Sequence, residues 1–157
     1  GGYLPLSVVM TSDRVYEAFY DERLVRGFLH SHSYTGNPLA CAAALAVLDT
    51  LEDERVVERN TSIAARLDAA LLPLRSRLDS SPSTGDRRVK HWRRQGMIWA
   101  FDVEGVSAGF ARQTFARALE QGVLLRPLGN TLYWMPPYCI GDEEITALVR
   151  ALDACLS

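Results

Sequence analysis

A short segment rich in imidazole and hydroxyl side chains stands directly before a strongly signalled helix. Residues 30–36 read His-Ser-His-Ser-Tyr-Thr-Gly and are followed by Asn37 and Pro38. Asn37 is a preferred N-cap because its side-chain oxygen can accept from a backbone N–H of the first turn, and Pro38 suits the first helical position. Free N–H groups and the dipole at a helix N-terminus attract anions, so this segment could bind a phosphate. On spacing alone, a polar loop that only caps the helix is the better-supported alternative.

A second candidate is Arg126, which lies in an otherwise apolar stretch between Leu125 and Pro127. Its planar guanidinium suits bidentate recognition of a carboxylate, and it keeps its charge at any working pH. A charge among apolar residues needs a partner, which favours carboxylate binding over a plain surface arginine. Tyr133 follows on a predicted strand. There, packing in an aromatic core is supported as well as a role in a binding site.

The signs of a metal centre are weaker. The pair His30-x-His32 could bind a metal ion, but no acidic residue or cysteine stands near it, so this interpretation is not favoured. Cys41, Cys139 and Cys155 form no CxxC pair, which argues against a zinc site or a disulfide framework and for a reducing cytoplasm.

Two long motifs resemble segments of the class III, fold type I, pyridoxal-phosphate-dependent aminotransferases. The first is HSHSYTGNPLACAAA over residues 30–44, and the second is LRPLGNTLYWMPPY over residues 125–138. Both are most similar to the adenosylmethionine–8-amino-7-oxononanoate aminotransferases of biotin synthesis. The resemblance covers the whole chain but only the C-terminal portion of such an enzyme. It implies an α/β fold made of the edge of the large domain, a long linking helix and a small α+β C-terminal lobe.

The same resemblance implies a set of site residues. Ser33 and His32 match positions at the phosphate of pyridoxal 5'-phosphate, and Ser33 would reach it from the neighbouring subunit of a homodimer. Ser31 and Tyr133 match positions on the substrate side, and Arg126 matches the arginine that binds the carboxylate of the keto acid. Where the family's better-known form has Gly-Pro-Thr, this chain has Ser-His-Ser. A histidine in place of the proline could alter the rigidity of this loop.

The implied activity is transamination. Through pyridoxal phosphate, the amino group of S-adenosylmethionine would pass to 8-amino-7-oxononanoate and give 7,8-diaminononanoate. The family's Schiff-base lysine matches a position a few residues before Gly1, and the only lysine here, Lys90, matches no family position. We therefore expect the chain alone to be inactive. The open alternatives are a class III relative with another amine donor or acceptor, and a non-catalytic dimerisation or scaffold module.

Hydrophobic periodicity predicts the elements before and after the candidate residues 30–36. We expect a strand over residues 6–11, a short helix capped by Ser12, a helix from Pro38 to about residue 53, and a helix from about residue 55 to 78. An apolar stripe marks the last helix, and Pro73 within it predicts a kink or a break. The stripe consists of Ile63, Leu67, Leu71, Leu74 and Leu78.

The remaining residues predict a linker over 79–86 and then a lobe that alternates strands and helices. Strands are expected over 89–92, 97–103, 123–125 and 131–135, with helices over 108–121 and from Asp142 onward. The inward side chains are expected to be Met97, Trp99, Phe101 and Val103 on one strand and Phe110, Phe115, Ala118 and Leu119 on the following helix.

Size and charge narrow the possible partners. With 157 residues and a formal net charge of -2, the chain has the size of one domain and no charge excess that would favour nucleic acid or an anionic membrane. The longest apolar run, residues 39–48, is too short to span a bilayer, which predicts a soluble, cytoplasmic protein. The basic run over 87–94 is interpreted as a solvated strand.

The resemblance places residues 1–45 at the edge of the cofactor-binding domain and 46–157 in linking helices and a small domain.

Overall fold

The computed structural model describes residues 2–80 and 87–157, which form two compact units, Gly1–Arg55 and Val56–Ser157. The first unit contains helix α1 (Asp13–Phe19), a 3-10 helix (Leu24–Arg26) and helix α2 (Pro38–Asp53). The elements of the second unit are α3 (Val56–Ser80), β1 (Arg88–Gln95), β2 (Ile98–Glu104), α4 (Phe110–Glu120), β3 (Thr131–Trp134) and α5 (Asp142–Leu156). The division of the chain at residues 45 and 46 refers to the domains of a longer enzyme and stays a prediction.

Local hydrogen bonds shape the first unit. Helix α2 begins at Pro38 and ends at Asp53, as its cap and composition predict. Helix α1 has Ser12 as its N-cap residue, as predicted, although the Ser12 side chain makes no capping hydrogen bond. The predicted strand over 6–11 is also wrong, because these residues have no regular secondary structure. A strand needs a hydrogen-bonded neighbour, and no described residue pairs with this stretch.

A three-stranded antiparallel sheet in the order β1-β2-β3 is the centre of the second unit. Alternate residues of β2 and the residue before it face the core and are almost fully buried, which confirms the period-two prediction. These residues are Met97, Trp99, Phe101 and Val103. The opposite face of β2 carries Ala100 and Asp102, which are only partly buried.

Helix α3 supplies the largest apolar stripe to this core. Four of the five predicted stripe residues are buried, and Leu78 packs against the core while partly exposed. The helix continues through Pro73, so the predicted break does not occur. Asp79 and Ser80 end α3, and the rest of the predicted linker, 81–86, lies outside the described residues.

Two predictions for the lobe need correction. On α4 the buried residues are Phe110, Thr114 and Ala118, whereas Phe115 and Leu119 are exposed. A spacing of four keeps the first three on one side of the helix, and each of the other two lies about 100° further round. The helix ends at Glu120, shortly before the predicted stop at Gly122, which has φ +77° and donates its N–H to Leu119 O.

The second correction concerns residues 123–125, which form no strand. Within the described chain β3 pairs only with β2, and the segment before it touches β3 through a single bridge between Leu128 and Thr131. Pro127 interrupts this segment and has no N–H to donate to a ladder. Leu125 is nevertheless buried, so the segment is anchored by packing and not by a ladder of hydrogen bonds.

Helix α5 closes the core. Its buried residues include Ile145, Leu148 and Leu152, as the periodicity predicts. Glu144 accepts a hydrogen bond from the N–H of Gly141 at 2.9 Å, which caps the start of the helix. No helix formed by the described residues has the length and apolar character that crossing a membrane requires.

Candidate functional site

The start of α2 is fully capped. The Asn37 side chain accepts from the N–H groups of Leu39 and Ala40 at 3.0 and 3.3 Å, and the Asn37 carbonyl accepts from Cys41 N–H at 3.0 Å. Pro38 has no N–H to offer. The expected free N–H groups at this helix N-terminus are therefore absent, because Asn37 satisfies them itself. An anion at this place would have to bind to the preceding turn.

The turn over residues 33–36 leaves several donors available. The Ser33 hydroxyl and N–H are exposed and make no hydrogen bond to any described residue. Its neighbours are ordered by bonds from His32 N–H to Thr35 Oγ1 at 3.2 Å, from Thr35 N–H to His32 O at 3.0 Å and from Asn37 N–H to Tyr34 O at 3.0 Å. The turn thus holds the Ser33 hydroxyl outward on an ordered backbone.

The His32 ring takes part in the hydrogen bonds beside this turn. Its Nδ1 accepts the N–H of Tyr34 at 3.2 Å. Because Nδ1 acts as an acceptor here, Nε2 is the ring nitrogen that can donate to another group.

A pocket of 710 Å³ lies beside this turn within the first unit. Its walls come from the extended residues Leu4–Ser7, from the turn, including His32 and Tyr34, and from the start of α2. Ser31 and Ser33 do not line it. The structure therefore brings His32 to a pocket, whereas Ser31 and Ser33 lie on the exposed surface of the same segment.

The second unit contains a pocket of 450 Å³ that joins two of the predicted residues, Arg126 and Tyr133. The Arg126 side chain is exposed and has no ion pair or hydrogen bond with any part of the chain that the structure describes. Most of the other walls are apolar and come from residues 122–125, from residues 134–137, and from Ile140, Ala147 and Leu148. Glu144 is also present, but its carboxylate caps α5. The pocket offers one uncommitted cation beside an apolar surface.

The electrostatic centre of the sheet is Asp102, which sequence reasoning missed. Its carboxylate accepts from Arg93 at 3.0 Å and from the Thr131 hydroxyl at 2.8 Å, and it lies 3.0 Å from His91 Nδ1. The hydrogen bonds from Arg93 and Thr131 lower the pKa of Asp102 from 3.8 to about 2. One carboxylate on the middle strand therefore joins all three strands.

The basic run over 87–94 is largely neutralised by acidic side chains. Lys90 pairs with Glu104 at 2.7 Å and Arg94 pairs with Asp68 at 3.1 Å, in addition to the bond from Arg93 to Asp102. Asp68 also accepts from the Trp99 indole N–H at 2.7 Å. Among the described residues, no group of three histidine, cysteine, aspartate or glutamate side chains could hold a metal ion.

Comparison with known proteins gives consistent results. The class-III aminotransferase family model matches residues 1–156. The adenosylmethionine-8-amino-7-oxononanoate aminotransferase of Helicobacter pylori is 42% identical over 160 residues, which cover 97% of this chain and 34% of that protein. The chain therefore spans about a third of the length of this relative.

Solved structures show the same relation. The adenosylmethionine-8-amino-7-oxononanoate aminotransferase of Methanocaldococcus jannaschii has a TM-score of 0.81 at 30% identity and covers 99% of this chain and 36% of its own. A PLP-bound amine transaminase from an uncultivated Pseudomonas species has a TM-score of 0.80 at 30% identity, with 99% and 35% covered. These similarities confirm the predicted α/β fold of fold type I transaminases.

Proposed function

We propose that this chain, which belongs to the class III aminotransferases, is the C-terminal part of a pyridoxal-phosphate-dependent transaminase of biotin synthesis. The complete enzyme would transfer the amino group of S-adenosylmethionine to 8-amino-7-oxononanoate and release 7,8-diaminononanoate. Residues 1–45 would form the edge of the cofactor-binding domain, and residues 46–157 the linking helices and the small domain. The enzyme would act as a cytoplasmic homodimer, and the three cysteines, all free, are compatible with that compartment.

The observation that carries this proposal is the pocket that contains both Arg126 and Tyr133. Arg126 is its one uncommitted cation among the described residues, and the walls beside it are mostly apolar. A guanidinium binds a carboxylate through paired hydrogen bonds, and an apolar wall favours an aliphatic chain. 8-Amino-7-oxononanoate combines these two features in one molecule. Tyr133 would line the path of its chain. Ser31 is proposed as a further substrate-side residue, as the resemblance implies.

The turn before α2 fits the phosphate of the cofactor. A phosphate dianion needs donors, and the Ser33 hydroxyl and N–H have no acceptor among the described residues. The Nε2 atom of His32 would be a further donor. When bound, pyridoxal phosphate supplies the electron-withdrawing ring on which an amino group is exchanged. The residues of this chain would bind its phosphate and orient the substrate carboxylate.

This chain alone should not catalyse the reaction. Its only lysine, Lys90, lies on β1 and pairs with Glu104 at 2.7 Å. Neither Lys90 nor its surroundings match the lysine that holds the cofactor in this family. We propose that this lysine belongs to the part of the enzyme before Gly1.

A second candidate function is transamination of a different amine. The Pseudomonas amine transaminase has almost the same TM-score as the biotin-pathway enzyme, so the fold does not separate the two functions. A non-catalytic scaffold is the remaining alternative. The choice between the two transaminases depends on which amine donor is consumed, and the scaffold alternative requires that the longer protein binds no cofactor.

The test compares this chain with a version extended upstream through the expected lysine. Each is mixed with pyridoxal phosphate, and absorbance and intact mass are measured before and after borohydride reduction. We expect a cofactor band and a reduced covalent adduct only in the extended protein. A specific adduct at Lys90 would contradict the proposed position of the lysine, and an extended protein without bound cofactor would support a scaffold.

Substrate assignment follows in the extended protein. We expect turnover with S-adenosylmethionine and 8-amino-7-oxononanoate, and little with 1-phenylethylamine as donor. Arg126→Ala should raise the KM for the keto acid by about tenfold to a hundredfold, because a charge-assisted pair worth about 1.5–3 kcal/mol is lost. Arg112→Ala is the matched control, since Arg112 is an exposed arginine on α4 that does not line the Arg126 pocket. Preference for 1-phenylethylamine would favour the second candidate.

A further inference from the structure

Residues 128–131, which follow Arg126 and Pro127, form a tight turn that two backbone hydrogen bonds close. Leu128 N–H donates to Thr131 O at 2.9 Å, and Thr131 N–H donates to Leu128 O at 3.0 Å. Gly129 has φ +61°, a conformation that residues with a side chain rarely adopt. The turn from Leu128 to Thr131 therefore has a defined shape directly after Arg126 and Pro127.

Beside the β2–β3 ladder, whose first pair is Asp102 and Thr131, two hydrogen bonds attach this turn to the middle strand. Val103 N–H on β2 donates to Asn130 O at 2.9 Å. The Thr131 hydroxyl donates to Asp102 Oδ1 at 2.8 Å. The second bond is the only one of the two that depends on a side chain, so it can be removed by substitution without changing the backbone.

The acceptor in this bond is itself firmly held. Asp102 also accepts from Arg93 at 3.0 Å, and His91 Nδ1 lies at 3.0 Å from its other oxygen. Because the pKa of Asp102 is lowered to about 2, its carboxylate is ionised at neutral pH. A hydrogen bond to an ionised acceptor is stronger than one between neutral groups.

Arg126 needs such an attachment because no hydrogen bond or ion pair with a described residue fixes its side chain. Its side chain bonds to no described residue, so its place in the pocket depends on the backbone on either side. Before it, Leu125 is buried at 3% exposure and anchors the chain in the core. After it, the first hydrogen-bonded anchor is the turn over residues 128–131.

We propose that Thr131 and Asp102 are positioning residues, whose hydrogen bond sets the place of Arg126 in the pocket and thereby the affinity for the substrate carboxylate. This inference rests on the proposed function, in which Arg126 binds a carboxylate. Thr131 and Asp102 act through the backbone turn and do not touch the substrate. Loss of the bond loosens the turn on one side of Arg126 and weakens carboxylate binding, while the exchange of the amino group is left intact.

The test uses the extended, cofactor-loaded protein and two substitutions at one position. Thr131→Val keeps the shape of the side chain and removes the hydroxyl, whereas Thr131→Ser keeps the hydroxyl. Thr146→Val is the control, because the Thr146 hydroxyl also makes a 2.8 Å hydrogen bond, to Asp142 O on α5, and Thr146 does not line the Arg126 pocket. Binding of nonanoate, with 1-nonanol as an uncharged comparison, is measured by calorimetry, and KM and kcat are measured for the keto acid.

In Thr131→Val we expect the Kd for nonanoate and the KM for the keto acid to rise about threefold to tenfold. This corresponds to a part of the free energy that a hydrogen bond to a charged acceptor contributes. Values of kcat, and binding of 1-nonanol, should stay within about twofold of wild type. Thr131→Ser and Thr146→Val should both bind nonanoate as the wild type does. A Thr131→Val protein with unchanged Kd and KM would overturn the inference, and so would an equal loss in Thr131→Ser.

Arg126→Ala separates failure of this inference from failure of the proposed function. If Arg126→Ala weakens nonanoate binding and Thr131→Val does not, only the positioning role is wrong. If Arg126→Ala leaves nonanoate binding unchanged, the carboxylate role of Arg126 is wrong, and the positioning role is overturned with it.

Discussion

The two units of this chain bury their apolar side chains to very different extents. The second unit packs residues of α3, α4, α5 and the sheet into one core, with Phe101 and Leu152 fully buried. In the described part of the first unit, the only buried residue is Ala40, while Val9 and Val25 are 93% and 90% exposed. Full burial of a large apolar side chain contributes about 1.5–3 kcal/mol, so this contribution stabilises mainly the second unit.

This difference bears on the candidate site residues. The turn over residues 33–36, the candidate phosphate site, belongs to the first unit, where its conformation depends on hydrogen bonds between residues close in sequence. Arg126 belongs to the second unit, where bonds between residues far apart in sequence support its segment. The turn over residues 33–36 and the segment of Arg126 are therefore stabilised by different interactions, and substitutions should affect them differently.

The largest expected contrast is between two phenylalanines. Phe101→Ala should lower the free energy of unfolding by about 3–5 kcal/mol, because it leaves a cavity at a fully buried position. Phe28→Ala in the first unit should change it by less than about 0.5 kcal/mol, since Phe28 is 72% exposed. Urea unfolding is followed by tryptophan fluorescence, which reports on the second unit because the tryptophans are Trp92, Trp99 and Trp134.

A similar loss in both variants would contradict this contrast, because it would mean that Phe28 in the first unit also packs in a core. Phe101→Leu is the control, since it keeps most of the buried volume and should recover a large part of the loss.

A smaller contrast concerns the two helix caps. Asn37→Ala should destabilise the first turn of α2 by about 1 kcal/mol, which speeds exchange of its amide hydrogens about fivefold. Glu144→Ala removes the cap of α5, but α5 contributes five buried residues to the core, so its amides should stay protected. Hydrogen–deuterium exchange measures both helices in one experiment. Equal acceleration in α2 and α5 would contradict the idea that only the second unit is stabilised by a core.

The same contrast explains which elements could be predicted from the sequence. The start of α2 follows from Asn37 and Pro38, and the buried face of β2 follows from strict alternation, since both signals are local. The expected strand over 6–11 failed because pairing depends on a neighbour elsewhere. On α4 the choice between Thr114 and Phe115 failed because the orientation of a helix is set by the core that it meets.

The candidate site shows the same limit. Arg126 and Tyr133 stand seven positions apart in one motif, and the structure places both in the lining of one pocket, while their roles there stay a prediction. Asp102 was missed because its partners come from the two strands on either side of its own. Their meeting depends on the strand register and on the irregularity between Lys90 and Arg93, where His91 has φ +55°. No spacing in the sequence encodes that irregularity.

The smallest expected effect compares two aspartates under acid. Hydrogen bonds from Arg23 lower the pKa of Asp21 in the first unit, and those from Arg93 lower that of Asp102, each from 3.8 to about 2. A carboxyl whose pKa is lower in the folded state stabilises that state above its unfolded pKa, and this stabilisation is lost as the pH falls towards 2. The two groups therefore titrate over the same range but differ in what they hold together.

Asp21 joins only Arg23 and Arg26 within a short segment, whereas Asp102 joins three strands. Between about pH 5 and about pH 2, Asp102→Asn should therefore lose less stability than the wild type, measured by urea unfolding with tryptophan fluorescence. Asp21→Asn should follow the wild-type pH profile in this signal, because its bonds lie in the first unit. An Asp102→Asn protein as sensitive to acid as the wild type would mean that the three-strand cluster adds nothing to the stability of the sheet.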